Sequence, residues 1–450
     1  MINLYIALQH NVPVPKDIPL PLPMPEWFFV VVLVLSFLLH ILFVNLMLGG
    51  SILALIAQIK GLKNKEYDIL AHEIAKTITV NKSIAVVLGI APLLSINVLY
   101  TIYFYSANAL TGLMWIAVIP LVTVAFLLTY LHKYTWETLE NHKSVHISIL
   151  ALATVIFLFI PFIFLTNINL MLFPEKWSVV KGFVDALFLA NVFPRYLHFI
   201  LSSLAVTGLF IFWYNSRKNY HFEEIYQKFT RYDIQKKGYS LALTASICQF
   251  MIGPLVLLTL PSKGMGWNLI LVIFSGVAFA VPAMWLIWKR LTGEKENIEK
   301  DFYKIAMLLG ITVLCMGSGR QIYRANSLEK HRELVRIKTD EFQVLKKQAL
   351  AKVKEAEAGA ASADMSEAEK GQKVFGQYCA SCHKIDEKLV GPAYKDVANK
   401  YKADSATVKM LAEKVIHGGA GNWGQVAMTP HPNLSEGEAK KMVLYVLSLK

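Results

Sequence analysis

The chain has 450 residues, 55% of them hydrophobic and 17% charged, with a formal net charge of +13. That is too apolar for an ordinary soluble protein of this length. The charge suggests nucleic acid at first sight, but Lys and Arg concentrate in alternate loops between long apolar runs, a pattern that orients a membrane protein and leaves no nucleic-acid partner to expect.

Residues 1–26 hold six prolines (Pro13, Pro15, Pro19, Pro21, Pro23 and Pro25) and neither a basic start nor an apolar core. They read as an extended periplasmic leader without a secretory signal, so the first membrane helix would serve as the export signal. Eight apolar runs follow, near 27–58, 76–104, 108–133, 145–173, 182–214, 239–260, 267–289 and 302–323. Each is long enough to cross a hydrocarbon layer of ~30 Å. The odd loops carry the basic residues: Lys60, Lys63 and Lys65; Lys133 and Lys143; Arg217, Lys218, Lys228, Arg231, Lys236 and Lys237; then Lys289, Arg290, Lys295 and Lys300. The even loops hold only Lys176, Lys181 and Lys263. The odd loops are therefore cytoplasmic and both termini periplasmic, in a bacterial inner membrane. Pro194 divides the fifth run, with 182–193 lying along the outer interface.

From about residue 325 the composition turns polar. Residues 325–357 read as a charged helix, and Ala356–Asp364 ("AEAGAASAD") as a flexible hinge. Residues 366–450 form a small globular domain with 12 basic and 9 acidic residues. The expected fold is thus all-α: a polytopic transmembrane bundle over 27–324, a helix-and-linker segment over 325–365, and a soluble periplasmic domain.

The soluble domain contains "GQYCASCHKI" (Gly376–Ile385). Cys-x-x-Cys alone fits a redox pair, half a zinc site or a heme attachment. An immediately following histidine narrows it to covalent heme c, with Cys379 and Cys382 adding to the vinyl groups and His383 reaching the iron. Zinc would need more Cys or His at matched spacing; the other cysteines, Cys248 and Cys315, lie in membrane runs as small apolar residues. Met428, in the Pro-flanked "GNWGQVAMTPHP", follows His383 by 45 residues. Its thioether suits the sixth position of an electron-transfer iron. His417 and His431 are the alternatives and are expected at the surface. The motifs "EKGQKVFGQYCASCH", "VGPAY", "GGAGNWGQVAMTP" and "EGEAKKMVLYVLSL" resemble the small bacterial class I cytochromes c over nearly all of 366–450.

Titratable groups deep in a membrane run are functional candidates. His40 lies ~20 Å along the first helix from Trp27, and His198 in the outer third of the fifth. His132, His142 and His146 read as solvated residues at the cytoplasmic edge. A histidine hydrogen-bonded in a bundle core is the plain reading of His40 and His198; beside an exported cytochrome c, heme b ligation is the stronger one.

"LHILFVNLMLGG" (Leu39–Gly50), "FPRYLHFILSSLAVTGLF" (Phe193–Phe210) and "GSGRQIY" (Gly317–Tyr323) resemble helices one, five and eight of the large subunit of cytochrome bd quinol oxidases. The resemblance spans about residues 27–323. It implies that His40 and His198 are axial ligands of heme b on separate irons, that Arg320 and Gln321 contact heme or its propionates, and that a second membrane subunit is present. The departures are large. The family's acidic residues of helices two and three are replaced within "GIAPLLSIN" and at Thr111, and the ligating glutamate by Gly317. The methionine partner of the low-spin heme has no clear match, with Met265 and Met316 as unranked candidates. The quinol loop shrinks to "PSKGMGWN". No Asp or Glu lies in the central part of any membrane run, Asp185 being the nearest, and this argues against proton-coupled dioxygen reduction. Ser95, Asn97, Ser202 and Ser203 read as packing residues.

The resulting expectation is a membrane-bound di-domain cytochrome. It would exchange electrons between heme b in the bundle and heme c in the periplasm, and then with a periplasmic cytochrome or another redox complex, quinone being a possible donor. The alternatives are a bd-type terminal oxygen reductase fed by cytochrome c, and a heme-free anchor for the cytochrome c domain.

Overall fold

In the computed structural model, residues 22–362, 367–424 and 426–450 are described, without side chains at 78–81, 355–362 and 368. Most of the proline-rich leader lies outside the described residues. The chain divides into two units, residues 1–339 and 340–450.

The first unit is built of α1 (Glu26–Gly61), α2 (Lys65–Leu99), α3 (Thr101–Thr111), α4 (Leu113–Tyr134), α5 (Lys143–Leu170), α6 (Phe183–Leu187), α7 (Val192–Ser216), α8 (Arg231–Leu258), α9 (Trp267–Thr292) and α10 (Phe302–Ser362). Among the described residues, eight helical stretches are long and apolar enough to cross a membrane. Their outward faces carry exposed apolar side chains, Val87, Ile119 and Leu271 among them. Such a surface suits hydrocarbon, where helices satisfy their backbone groups internally.

Several boundaries differ from the apolar runs because polar caps, not hydropathy, start these helices. The Asn64 side chain accepts the Glu66 amide at 3.1 Å, so α2 starts 11 residues before the apolar run near 76. Thr230 and Asp233 form a reciprocal capping box that starts α8 at Arg231, ahead of the run near 239. The fifth run breaks at Asn191 (φ 74°), not at Pro194. Pro194 falls in the first turn of α7, where its missing N–H leaves no bond unmade. The eighth membrane helix and the charged segment are one uninterrupted 61-residue helix, α10. Most of the expected hinge, up to Ser362, is helical. Residues 363–364 lie outside the described residues.

Small residues bring the helices together, as they do in lipid, where packing must replace a hydrophobic driving force. A Cβ at Gly49 of α1 would collide with Ser203 and Thr207 of α7. Gly208 of α7 and Gly238 of α8 face each other, a Cβ on Gly208 falling 2.6 Å from the Gly238 carbonyl. Thus "NLMLGG" and "SSLAVTG" are the two halves of one helix contact. Ser203 Oγ also donates to Asn45 Oδ1 at 2.9 Å.

The second unit contains the end of α10, then α11 (Glu367–Tyr378), α12 (Tyr394–Lys400), α13 (Ser405–His417) and α14 (Glu436–Leu447). Val408, Ala412, Val415, Met442, Val443 and Val446 form its core with Cys379 and Tyr394. Gly371 of α11 packs against the backbone of Lys441 in α14 so closely that any Cβ would overlap it. Ser435 and Glu438 cap α14 reciprocally, and Asp404 caps α13.

Candidate heme sites

The cysteine motif lies where α11 ends. The Cys379 amide donates to Phe375 O at 2.9 Å and the His383 amide to Cys379 O at 3.0 Å, so one extra turn carries both thiols and the imidazole. Val390 and Gly391 donate their amides to Cys382 O at 3.2 and 2.9 Å, folding the next loop back over the motif. His383 is buried; its Nδ1–H donates to Pro392 O at 2.9 Å. This bond fixes the tautomer and leaves Nε2 for a metal. Tyr394 stacks on the ring at 4.7 Å between centroids. Gly391 leaves no space beside the ring: a Cβ there would overlap it.

Cys379 and Cys382 are free thiols, one buried and one exposed. Burial pushes the Cys379 thiol up, with the Tyr394 hydroxyl opposing the shift. Met428 pairs with Gly419 through two backbone bonds of 2.9 and 3.3 Å. Its side chain packs on the same core cluster as Cys379 and Tyr394. Gly418, Gly421 and Gly424 have φ of 72°, 109° and 126°, conformations that let this loop turn where other residues would be strained. His417 is exposed and caps back onto Glu413 O, and His431 is half-buried.

In the bundle, His40 repeats the same device. Its Nδ1–H donates to Ala85 O of α2 at 2.8 Å, which again leaves Nε2 free. Gly89, one turn further along α2, makes room: a Cβ there would lie 2.9 Å from His40 Cε1. His198 is half-buried in α7. Gln321 Nε2 donates to Tyr100 Oη at 2.7 Å, and Arg324 donates to Gln321 Oε1 at 2.7 Å. The Arg320 guanidinium stands 5.7 Å from the centre of the Phe37 ring. Met316 packs on Gly276 of α9.

Ala85 and Gly89 carry no signal readable in the sequence, because both act across a helix pair with no fixed spacing from His40. Pro392 lies within the quoted "VGPAY", and the short distance from His383 is its signal.

His132 and His146 depart from expectation. Both are buried, and their rings stack at 4.0 Å between centroids. Gln58 bridges them: His132 Nε2–H donates to Gln58 Oε1 at 3.1 Å, and Gln58 Nε2 donates to His146 Nδ1 at 2.7 Å. His146 Nε2–H then donates to His132 O at 2.7 Å. α1 and α2 extend past their apolar runs and help enclose these rings, so they are satisfied core residues; of the three, His142 alone is exposed.

A bundle of membrane-length helices joined to a unit with a Cys-x-x-Cys-His turn defines a membrane-associated c-type cytochrome. Residues 368–450 match the Cytochrome c family. Cytochrome c-551 of Azotobacter vinelandii is 49% identical over 72 residues, covering 16% of this chain and 87% of that protein. Cytochrome c-551 of Allochromatium vinosum is 46% identical over 71 residues, 16% of this chain and 76% of that one. Through this domain the chain belongs to the cytochrome c family. The fold of the bundle is similar to bd oxidase from Geobacillus thermodenitrificans, with a TM-score of 0.52 at 14% identity over 67% of this chain and 87% of that one. The cytochrome c domain implies heme c and electron transfer.

Proposed function

We propose that the protein is a di-domain electron-transfer subunit of a respiratory complex in the bacterial inner membrane, in which heme b in the bundle exchanges electrons with heme c on the periplasmic side. The observation that carries this reading is the matched anchoring of His40 and His383: each imidazole is locked through Nδ1 onto a backbone carbonyl beside a glycine, with Nε2 left over. The Nε2 atom of His40 has no hydrogen-bond partner among the described residues, and in hydrocarbon a ring nitrogen is better placed on a ligand than left unpaired.

In this reading Cys379 and Cys382 tether heme c, while His383 and Met428 hold its iron; His40 and His198 hold heme b on separate irons, and Arg320 and Gln321 contact those groups. When bound, the hemes supply one-electron iron chemistry. The protein fixes ligand tautomers, excludes water and sets the local charge. The absence of Asp and Glu from the middle of the membrane runs favours electron transfer over dioxygen reduction. A second membrane subunit completes the bundle, and a periplasmic cytochrome or other redox complex is the external partner.

The test is spectroscopic. The purified protein should show b-type and c-type pyridine hemochromes together, and His40→Ala and His198→Ala should each remove part of the b signal and leave the c signal intact. A c signal alone would reduce the bundle to an anchor. A chlorin-type heme with steady dioxygen consumption would make the protein an oxidase.

A further inference from the structure

Where α1 and α7 end and α2 and α8 begin, the bundle carries a cavity of about 470 Å³ whose lining includes Lys63, Lys65, Glu66, Gln227 and Lys228. A single water needs only ~15 Å³, so the space suits a larger polar group. It lies at the end of the bundle that the basic loops assign to the cytoplasm.

The charge of this cavity is unbalanced. Three lysines face one carboxylate, and that carboxylate is already engaged. Glu66 is buried and accepts the Gln227 amide at 3.3 Å and the Phe229 amide at 3.0 Å. These bonds tie the loop before α8 to the start of α2 and bring Lys228 into the same cavity as Lys63 and Lys65. Other basic residues at this end have acidic partners: Lys76 with Glu73 at 2.6 Å, Lys143 with Asp68 at 2.7 Å and Arg231 with Glu223 at 3.4 Å. Lys63, Lys65 and Lys228 form no ion pair with any described residue, and Lys228 acts on Glu66 only at longer range. All three are exposed. Lys60 and Lys237 add to the same field, each standing 5.6 Å from the centre of the Tyr67 ring.

An apolar strip leads to the cavity. Ile56, Ile59 and Leu62, directly before Lys63, are 43%, 50% and 60% exposed. Their spacing of three keeps them along one side of the end of α1. A free anion gains nothing from such a strip, whereas an acyl chain does.

We infer that this cavity binds the phosphate of an anionic phospholipid, with Lys63, Lys65 and Lys228 as its ligands and the acyl chains along Ile56, Ile59 and Leu62. The inference needs the bundle to lie in a bilayer and needs neither heme. Lysine suits the task as a compact charge with three donors. Basic pockets between membrane helices recognise the anionic headgroups of the cytoplasmic leaflet in this way. A lipid held there joins the α1–α2 turn to the loop between α7 and α8, and so braces the helices that carry His40 and His198.

The experiment is native mass spectrometry of the full-length protein in detergent, titrated with dioleoyl phosphatidylglycerol. Dioleoyl phosphatidylcholine, which has the same tails, and inorganic phosphate are the controls. The parent should bind phosphatidylglycerol more tightly than phosphatidylcholine, and less tightly as salt is raised. K63Q, K65Q and K228Q should each weaken phosphatidylglycerol binding about fivefold, the share of one lysine at an anionic surface, and leave phosphatidylcholine unchanged. K63R, K65R and K228R should keep the parental affinity. Equal binding of the two lipids by the parent overturns the proposal, as does parental affinity in the triple glutamine variant. Displacement of phosphatidylglycerol by inorganic phosphate at equal concentration also overturns it, because the ligand is then a free anion. If the triple variant does not fold, the three single variants and the salt titration of the parent decide.

Discussion

The two histidine sites reach the same local arrangement from opposite surroundings. His383 is fixed by its own neighbourhood: the turn that follows α11, the loop returning through Gly391 and Pro392, and the stacked Tyr394 all lie within eleven residues of it. His40 is fixed by another helix, through Ala85 and Gly89 some 45 residues away. In water a short segment must carry its own scaffold, and covalent thioethers can secure what it binds. In lipid the scaffold is the packing of whole helices.

The comparison can be broken most forcefully at the tether. Replacing Cys379 and Cys382 together with alanine should abolish covalent heme, seen as loss of heme stain on a denaturing gel, with the bundle unaffected. Next in size is Met428→Ala. The heme c potential should fall by ~0.2 V, a fraction of the ~0.8 V range that axial ligands command, and potentiometry of the soluble unit would show it. Gly89→Val and Gly391→Val then sharpen the contrast. The first should displace His40 and diminish heme b alone; the second should displace His383 and perturb heme c alone, read as separate changes in the two α bands. Gly371→Val should destabilise the cytochrome c unit by about 3 kcal/mol, because backbone of α14 occupies the space needed, and denaturant titration measures it.

The smallest effect concerns the caps. Ser435→Ala should cost about 1 kcal/mol of stability. Hydrogen bonds from Ser435 hold Glu438 below the ordinary carboxylate range, and amide bonds from Thr407 do the same for Asp404. Both folded values are depressed, so their contribution is present above the unfolded carboxylate value and lost as pH falls through the folded one. Acid melts of the parent should fall in that window, and Ser435→Ala should flatten the fall.

Legibility in the sequence followed the range of each interaction. The spans were readable because burial in lipid needs long apolar runs, and the heme c motif because its parts are adjacent. The continuity of α10 was not, since a change from apolar to charged residues looks like a boundary even where helix propensity persists. His132 and His146 were misread for a related reason: they sit at the cytoplasmic ends of their apolar runs, yet neighbouring α1 and α2 extend past their own runs and help bury them.

The most direct test is to extract the purified full-length protein with acidified acetone, which removes non-covalent heme and leaves thioether-linked heme behind. The account predicts extractable heme b in the solvent together with heme c retained on the polypeptide. If all the iron porphyrin stays with the chain and the extract is colourless, the bundle holds no heme and the proposed electron path through it does not exist.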